Sequence, residues 1–469
     1  MKHYDVLVIG SGPSGHHAAI QAAKLGKKTA IIEKNQTVGG VCLNTGTIPS
    51  KTLREAVIYL TGLRQKTLYG STYSVKHDIT IEDLRFRADH VIRKQIDVFR
   101  SQFQRNKVEL LHGTASFLDA HRLHLQDLEN NDELRADTIV IATGTSPARS
   151  DQVVLDGTSI LDSDMLLQIP ALPRSIIVVG AGVIGVEYAC MMAALGISTT
   201  LVESRERMLE FVDSEIIESL RYHMRDMEIT FRFGEKVESV RKTTEGLVIA
   251  KLESRKEIQS DALLYAVGRQ GNTGDLNLEA SGLHADNRGR IHVNDYYQTR
   301  IPHIYAVGDV IGFPSLASVS MMQGRLAICH AFDVPTKSTP KLFPYGIYTI
   351  PEISYVGESE DQLTQKHVPY EVGLARYREI ARGHIIGDLY GLLKLLFHQE
   401  TKQLLGVHII GENATELVHI GQAVLTLGGD LDYFLDNVFN YPTLAECYKV
   451  AALSAANKLS PSSPAVALT

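Results

Sequence analysis

The sequence predicts an α/β protein: two parallel-sheet units laid out on one plan, followed by a separate α+β unit. Three observations carry this. A short apolar run, a glycine-spaced turn and an Ala-rich amphipathic stretch occur together twice, at residues 5–15 (DVLVIGSGPSG) and 175–185 (SIIVVGAGVIG). Each unit then runs on to an apolar strand expected to end at glycine, DTIVIATG at 137–144 and DALLYAVGR at 261–269. From about residue 343 the pattern changes to strands (GLLKLLFH, QLLGVHIIG) followed by helices (ATELVHIGQAVLTL, TLAECYKVAALSAANKL).

In each repeat the apolar run suits a buried parallel strand and the Ala-rich stretch a helix, with G-x-G-x-x-G between them. The first glycines, Gly10 and Gly180, make the tight turn. The second, Gly12 and Gly182, let backbone N–H groups approach a pyrophosphate, and the third, Gly15 and Gly185, let helix and strand pack closely. The following strands end alike, TAIIE at Glu33 and TTLVE at Glu203, where a carboxylate can accept from both ribose hydroxyls of an adenine dinucleotide. One such turn is weak evidence, but two with an acid at the same offset predict two Rossmann-like dinucleotide-binding domains and electron traffic between two bound dinucleotides.

The first unit is expected over residues 1–149, with a long amphipathic insertion at about 81–103. The second covers 150–270. A central segment, 271–342, carries IYAVGDV at 304–310 and is expected to return the chain to the first unit. Residues 343–469 form the last domain, and the Ser- and Pro-rich tail LSPSSPAVALT at 459–469 is expected to be disordered.

A chain of 469 residues with a hydrophobic share of 44% suits several ordinary globular domains. Nothing approaches a membrane-spanning run, and the apolar segment at residues 6–9 is far shorter than a signal-peptide core, so a cytoplasmic protein is expected. The net charge of −7 is spread without long single-sign blocks, which argues against nucleic-acid and polybasic membrane surfaces. Small molecules and other copies of the chain are the expected partners. Cys42, Cys190, Cys329 and Cys447 lack metal-ligand spacing, so neither a disulfide framework nor a metal site is predicted; Cys190 and Cys329, in apolar helical stretches, read as core residues. His16 and His17 are adjacent on a helix, point to different faces, and read as structural.

Between the glycine turns lies VGGVCLNTGTIPSK at 38–51, and with this segment the chain closely resembles the flavoprotein disulfide reductases, implying a glutathione-reductase-like fold. In that family two cysteines, matching positions 42 and 47, precede Pro-Ser-Lys and form a redox disulfide. Here the first is Cys42 and the second is Thr47, whose hydroxyl cannot supply a thiolate or close a disulfide. The family also carries His-Pro-Thr-x-x-Glu near the C-terminus; this chain has Tyr441, Pro442, Thr443 and Glu446. A phenol with a pKa of about 10 is a poor proton shuttle at neutral pH beside an imidazole of about 6.5.

With flavin and nicotinamide signatures kept and both thiol devices lost, the chain resembles the soluble pyridine nucleotide transhydrogenases of that family over nearly its whole length. YAVGR followed by QGNT, PHIYAVGDVIGFPSLAS, GIYTIPEIS and FNYPT carry the likeness. The resemblance implies hydride exchange between NADPH and NAD+ through one FAD per subunit, by a ping-pong cycle, in a dimer joined by the C-terminal domain. It implies FAD contacts at Gly10, Gly12, Gly15, Glu33, Lys34, Gly39, Gly40, Cys42, Ala115, Thr143, Gly144, Asp309 and Ala317. For the nicotinamide dinucleotide, NAD(H) or NADP(H), it implies Gly180, Gly182, Gly185, Glu203, Arg205, Arg207 and Gly268. Lys51 resembles the lysine beside flavin N5, Glu187 the acid paired with it, and Thr47, Tyr441 and Glu446 occupy the other catalytic positions.

Some readings stay open on sequence. Cys42 is either a small apolar filler against the flavin or a non-redox contact. Tyr441 either packs at a domain junction or fills the groove of the missing histidine and excludes thiols. Glu203 favours NAD, while Arg205 and Arg207 suit a phosphate or are simply solvated. A diaphorase or quinone reductase of the same fold would share every residue named.

Overall fold

The computed structural model describes residues 1–127, 131–336 and 341–459. The tail expected to be disordered lies outside them but for Leu459. The first sheet has seven strands. Lys2–Ile9 lies at its centre, paired in parallel with Thr29–Glu33 on one side and Asn131–Ile141 on the other. Besides Lys2–Ile9, Asn131–Ile141 pairs with two further strands: its first residues run antiparallel to Arg122–Gln126, while Ile139 to Ile141 pair in parallel with Ile304–Ala306. That last pairing sets Ile304–Ala306 in the first sheet. The strands flanked by helices read as continuous apolar runs because both faces are covered.

The second unit repeats the plan in a five-stranded sheet, with Ser175–Val179 between Ser198–Glu203 and Ala262–Tyr265, all in parallel. In both units the closing strand stops three residues before the expected glycine, at Ile141 and at Tyr265. One further backbone bond follows each, from Ala142 to Ile9 and from Ala266 to Val179, both at 2.8 Å. The chain then leaves the sheet through Gly144 (φ +65°) and Gly268 (φ +124°), so residues after the strand pass across its end instead of extending it.

The amphipathic insertion is one helix, Ile81–Arg105, started by a capping box between Thr80 and Asp83. Its inward residues, Ile96, Phe99 and Phe103, pack on the first unit, and the buried His16 ring stacks on Phe99 with centroids 4.0 Å apart. Both readings, amphipathic insertion and structural His16, agree with this. Cys190 and Cys329 are buried in helices, also as expected.

The C-terminal unit is a five-stranded antiparallel sheet in the order Tyr345–Ile347, Ile353–Gly357, Leu404–Ile410, Leu392–His398, Tyr370–Arg376, with helices Ala414–Thr426 and Glu446–Leu459 against it. Its other face contributes Ile347, Ile353, Leu392 and Ile410 to an apolar core shared with Val178 and Leu201 of the second unit and with Leu53 and Val57 of helix Thr47–Leu60. The shared core fixes the three units on one another, and the functional side chains stand where they meet.

Candidate functional site

The two glycine turns are superimposable in their constraints. Gly10 and Gly180 both have φ +102°, and a Cβ on either would lie 2.4 or 2.5 Å from the carbonyl oxygen of Ala142 or Ala266. A Cβ on Gly15 or Gly185 would come within 1.9 or 1.8 Å of the Gly10 or Gly180 carbonyl oxygen. These four glycines are dictated by protein packing. Gly12 and Gly182 are not: a Cβ on Gly12 would meet only Gly40 at 4.0 Å, and one on Gly182 would meet nothing. The middle glycine keeps space open for something outside the chain. It also caps a helix, Pro13–Lys24 or Val183–Ala194, without a side-chain cap, which leaves first-turn N–H groups directed at that space.

The acids repeat as well. Ser11 N–H donates to Glu33 Oε2 at 3.1 Å and Ala181 N–H to Glu203 Oε2 at 2.7 Å; Asn35 N–H donates to Glu33 Oε1 at 2.9 Å and Arg205 N–H to Glu203 Oε1 at 3.0 Å. Each acid also accepts from a serine hydroxyl, for Glu203 that of Ser204 at 3.1 Å from Oε1, and the difference is the charge of what else surrounds it. Ser11 Oγ donates to Glu33 at 2.6 Å and accepts from Gly39 N–H at 2.9 Å, tying in the 38–51 segment, whereas Glu203 is held by the Arg205 guanidinium. Burial pushes the Glu203 carboxyl up, but Arg205 and the N–H groups of Ala181 and Arg205 outweigh it and hold it down to about 2. Arg207 is exposed on the same loop.

A cleft of about 1140 Å³, including its open mouth, runs from the first glycine turn across the end of the first sheet. Of the residues implied for the flavin, Gly10, Gly12, Glu33, Lys34, Gly40, Cys42, Ala115, Thr143, Gly144, Asp309 and Ala317 line it, as does Thr47. Gly15 and Gly39 stand behind the wall as packing residues. Gly180, Gly182, Gly185, Glu203, Arg205, Arg207 and Gly268 belong to the second unit's own turn and strand end. Ser11, Ser14, Asn272 and Asp275 also line the cleft and were not singled out from sequence, although Ser11 stands inside the quoted G-S-G.

Lys51 and Glu187 meet at the junction of the two units. Helix Thr47–Leu60 carries Lys51, helix Val183–Ala194 carries Glu187, and the ammonium lies 2.7 Å from Glu187 Oε2. Glu187 is 3% exposed; its other oxygen accepts from Tyr348 N–H at 2.7 Å. Cys42 is partly buried, and that burial pushes its thiol up against the opposing pull of a Thr47 hydrogen bond and of Lys51, so it is not poised as a thiolate. Tyr441 is 72% exposed and Glu446 begins helix Glu446–Leu459 with Oε2 buried and without a hydrogen-bond partner among the described residues. Within one subunit these two are not brought to the Lys51–Glu187 pair by any contact.

Residues 4–324 match the family model described as pyridine nucleotide-disulphide oxidoreductase, and residues 343–452 match the dimerisation domain of the same family. The chain belongs to the pyridine nucleotide-disulphide oxidoreductase family. Relatives named soluble pyridine nucleotide transhydrogenase include one from Mycobacterium bovis, 55% identical over 98% of this chain and 98% of the relative, and one from Colwellia psychrerythraea, 46% identical over 97% and 98%. Among solved structures the chain is similar to LpdA from Mycobacterium tuberculosis, with a TM-score of 0.89 and 25% identity over 97% of this chain and 99% of that one. It is also similar to the HOCl-induced flavoprotein disulfide reductase RclA from Escherichia coli, with a TM-score of 0.86 and 26% identity over 96% and 99%. The glutathione-reductase-like α/β fold is therefore as the sequence predicts.

Members of this family hold FAD and use nicotinamide dinucleotides, and the cleft fits FAD. Asp309 is a partly buried carboxylate whose side-chain partners, Thr145 at 3.4 Å and Ser320 at 3.5 Å, are distant, and desolvation pushes it up despite the nearby Arg269. Thr143 Oγ1 is buried with no partner among the described residues. An under-satisfied acid and an orphaned hydroxyl on one wall suit the hydroxyl-rich chain of a flavin dinucleotide. No helix among the described residues is long and apolar enough to cross a membrane.

Proposed function

We propose that the protein is a FAD-dependent transhydrogenase that exchanges hydride between NADPH and NAD+, in a ping-pong cycle at one nicotinamide site and without a redox disulfide. The observation that carries this reading is the Lys51–Glu187 pair, assembled between two dinucleotide turns of matching geometry, beside a segment in which Thr47 stands where the family's second cysteine stands. The relatives' shared name supports the same reading.

Bound FAD would supply the hydride-accepting and hydride-donating centre between a reduced and an oxidised nicotinamide. The chain's own part is to hold and orient. We assign residues 1–149 with 271–342 to FAD, 150–270 to the nicotinamide dinucleotide and 343–469 to dimerisation. The Gly10–Gly15 turn and Glu33 would bind the adenosine and pyrophosphate half, Asp309 the hydroxylated chain, and the Gly180–Gly185 turn with Glu203 the second dinucleotide. Lys51, fixed by Glu187, would offer a cation to the negative charge of a reduced flavin held beside it. Thr47 and the protonated Cys42 offer no thiolate, so neither provides a competing acceptor. The dimerisation domain supports a homodimer, in which the exposed Tyr441 would reach the partner's flavin cleft; a cytoplasmic location fits this assignment.

Anaerobic titration of the FAD-loaded protein with NADPH and then NAD+ tests the reading. The flavin absorbance band is expected to bleach and then recover. Bleaching that NAD+ cannot reverse, together with brisk oxidation by quinones, would favour the diaphorase alternative; no bleaching at all would leave a flavin-binding scaffold.

A further inference from the structure

Three units of the fold converge on one ammonium group. Lys51 and Glu187 come from the two dinucleotide units, and Tyr348 follows the edge strand Tyr345–Ile347 of the C-terminal sheet. The Lys51 ammonium lies 4.9 Å from the centre of the Tyr348 ring, while the Tyr348 N–H donates to Glu187 Oε1 at 2.7 Å. One residue of the C-terminal unit thus touches both members of the pair. Its backbone is pinned from the other side as well. Arg54, one turn beyond Lys51 on the same helix face and 4% exposed, donates from Nε to the Thr349 carbonyl at 2.8 Å. Backbone bonds on both flanks, at the Tyr348 N–H and the Thr349 carbonyl, fix the residue that presents its aromatic face to the ammonium.

We propose that Tyr348 is a positioning residue of the active site, whose ring covers the Lys51 ammonium, keeps water off that side of it and holds its charge toward the flavin. This rests on the reading that the Lys51–Glu187 pair faces bound FAD. An aromatic face attracts an ammonium electrostatically, and the attraction grows as the cation is desolvated. A cation with less water around it also acts on a neighbouring negative charge through a lower effective dielectric. With the ring removed, the ammonium hydrates on that side, its pull on the reduced flavin weakens, and the oxidised form gains.

The test is the reduction potential of flavin bound to the full-length protein, measured anaerobically against a reference dye. Tyr348→Leu is expected to lower the reduced-to-oxidised flavin ratio at a fixed ambient potential about tenfold, which for a two-electron couple is about 30 mV. Tyr348→Phe, which keeps the ring, is expected to remain within about twofold of the parent. In a Lys51→Met background the leucine substitution is expected to add nothing, because it acts through the lysine. The proposal is overturned if Tyr348→Leu leaves the potential unchanged, if Tyr348→Phe behaves like Tyr348→Leu, or if the leucine shift persists in full without Lys51. Tyr348→Met supplies the same comparison if the leucine variant fails to retain FAD. The underlying reading fails separately: Lys51→Met alone would then leave the potential at its parental value.

Discussion

Arg205 neutralises Glu203 within its own loop, donating from Nε to Oε1 and from Nη2 to Oε2 at 3.1 Å each. The matching acid of the first turn, Glu33, is held instead by Ser11, a neutral partner. A bare carboxylate at the end of this strand would repel a ribose 2′-phosphate, and a paired one repels it far less. The guanidinium is 46% exposed and can also face a phosphate without losing Glu203. This pairing supports use of both dinucleotides. Arg205→Ala is therefore expected to raise KM for NADPH about tenfold or more, since a charge-assisted hydrogen bond contributes about 1.5–3 kcal/mol, and to change KM for NADH much less. Initial rates with each donor and a common acceptor check it; equal losses for both donors would reduce Arg205 to a structural partner of Glu203.

Sulfur has no part in the proposed exchange. Burial raises the Cys42 thiol, and Thr47 gives it no disulfide partner. Cys42→Ser is expected to retain NADPH-to-NAD+ exchange within about twofold, because it removes no interaction made only in the transition state. Thr47→Cys restores the pair of sulfurs but not the imidazole absent at position 441, and is expected to give no measurable lipoamide turnover. Rapid turnover in that single variant would contradict the role assigned to Tyr441.

What was legible in the sequence was whatever rests on local backbone demands. The φ of Gly10 and Gly180 and the contacts facing Gly15 and Gly185 leave no choice but glycine, so the motif reads directly as geometry. Glu33 and Glu203 are equally visible, because each closes the strand after a glycine turn at the same offset. Less visible was anything made by distant segments. Neither Ser11 bridging Glu33 to Gly39 nor Tyr348 covering Lys51 has a signature in spacing, since each depends on how separate units dock. The GIYTIPEIS segment drew notice only through family likeness. Lys394, fully buried within the strand Leu392–His398, likewise owes its place to acids of distant segments, which spacing does not reveal.

His16 makes the protein's stability depend on pH. Its ring is 4% exposed and stacked on Phe99, and burial, with the neighbouring His17 adding to it, pushes its pKa down from 6.5 to about 4. The unfolded chain therefore binds a proton that the native ring resists. The stabilisation is complete above pH 6.5 and is lost as pH falls toward 4, amounting to about 2 kcal/mol between about pH 7.5 and about pH 5. In His16→Leu, the change in unfolding free energy over that interval, measured by denaturant titration, is expected to shrink by this amount. An unchanged pH slope would mean that other groups carry it.

Lys394 holds the second unit to the C-terminal sheet through a buried charge cluster. Its ammonium lies 2.9 Å from Asp213 and 3.1 Å from Glu215, at the start of helix Ser214–Asp226, and is bonded to Glu360 from the C-terminal unit. The three carboxylates lie close enough together to resemble a metal site, but the ammonium is already bonded to all of them. Burial opposes the charge on Lys394, yet the surrounding acids outweigh it and raise the pKa further. Lys394 and Asp213 are both fully buried, so removing the ammonium leaves the Asp213 carboxylate unpaired where water does not reach it. Lys394→Met, which nearly preserves the volume, is expected to cost about 3–5 kcal/mol and to lower the thermal unfolding midpoint clearly. Adding Asp213→Asn removes the stranded charge and is expected to recover part of that loss. A double variant no more stable than Lys394→Met alone would show that the cluster acts through packing, with the ion pair contributing little.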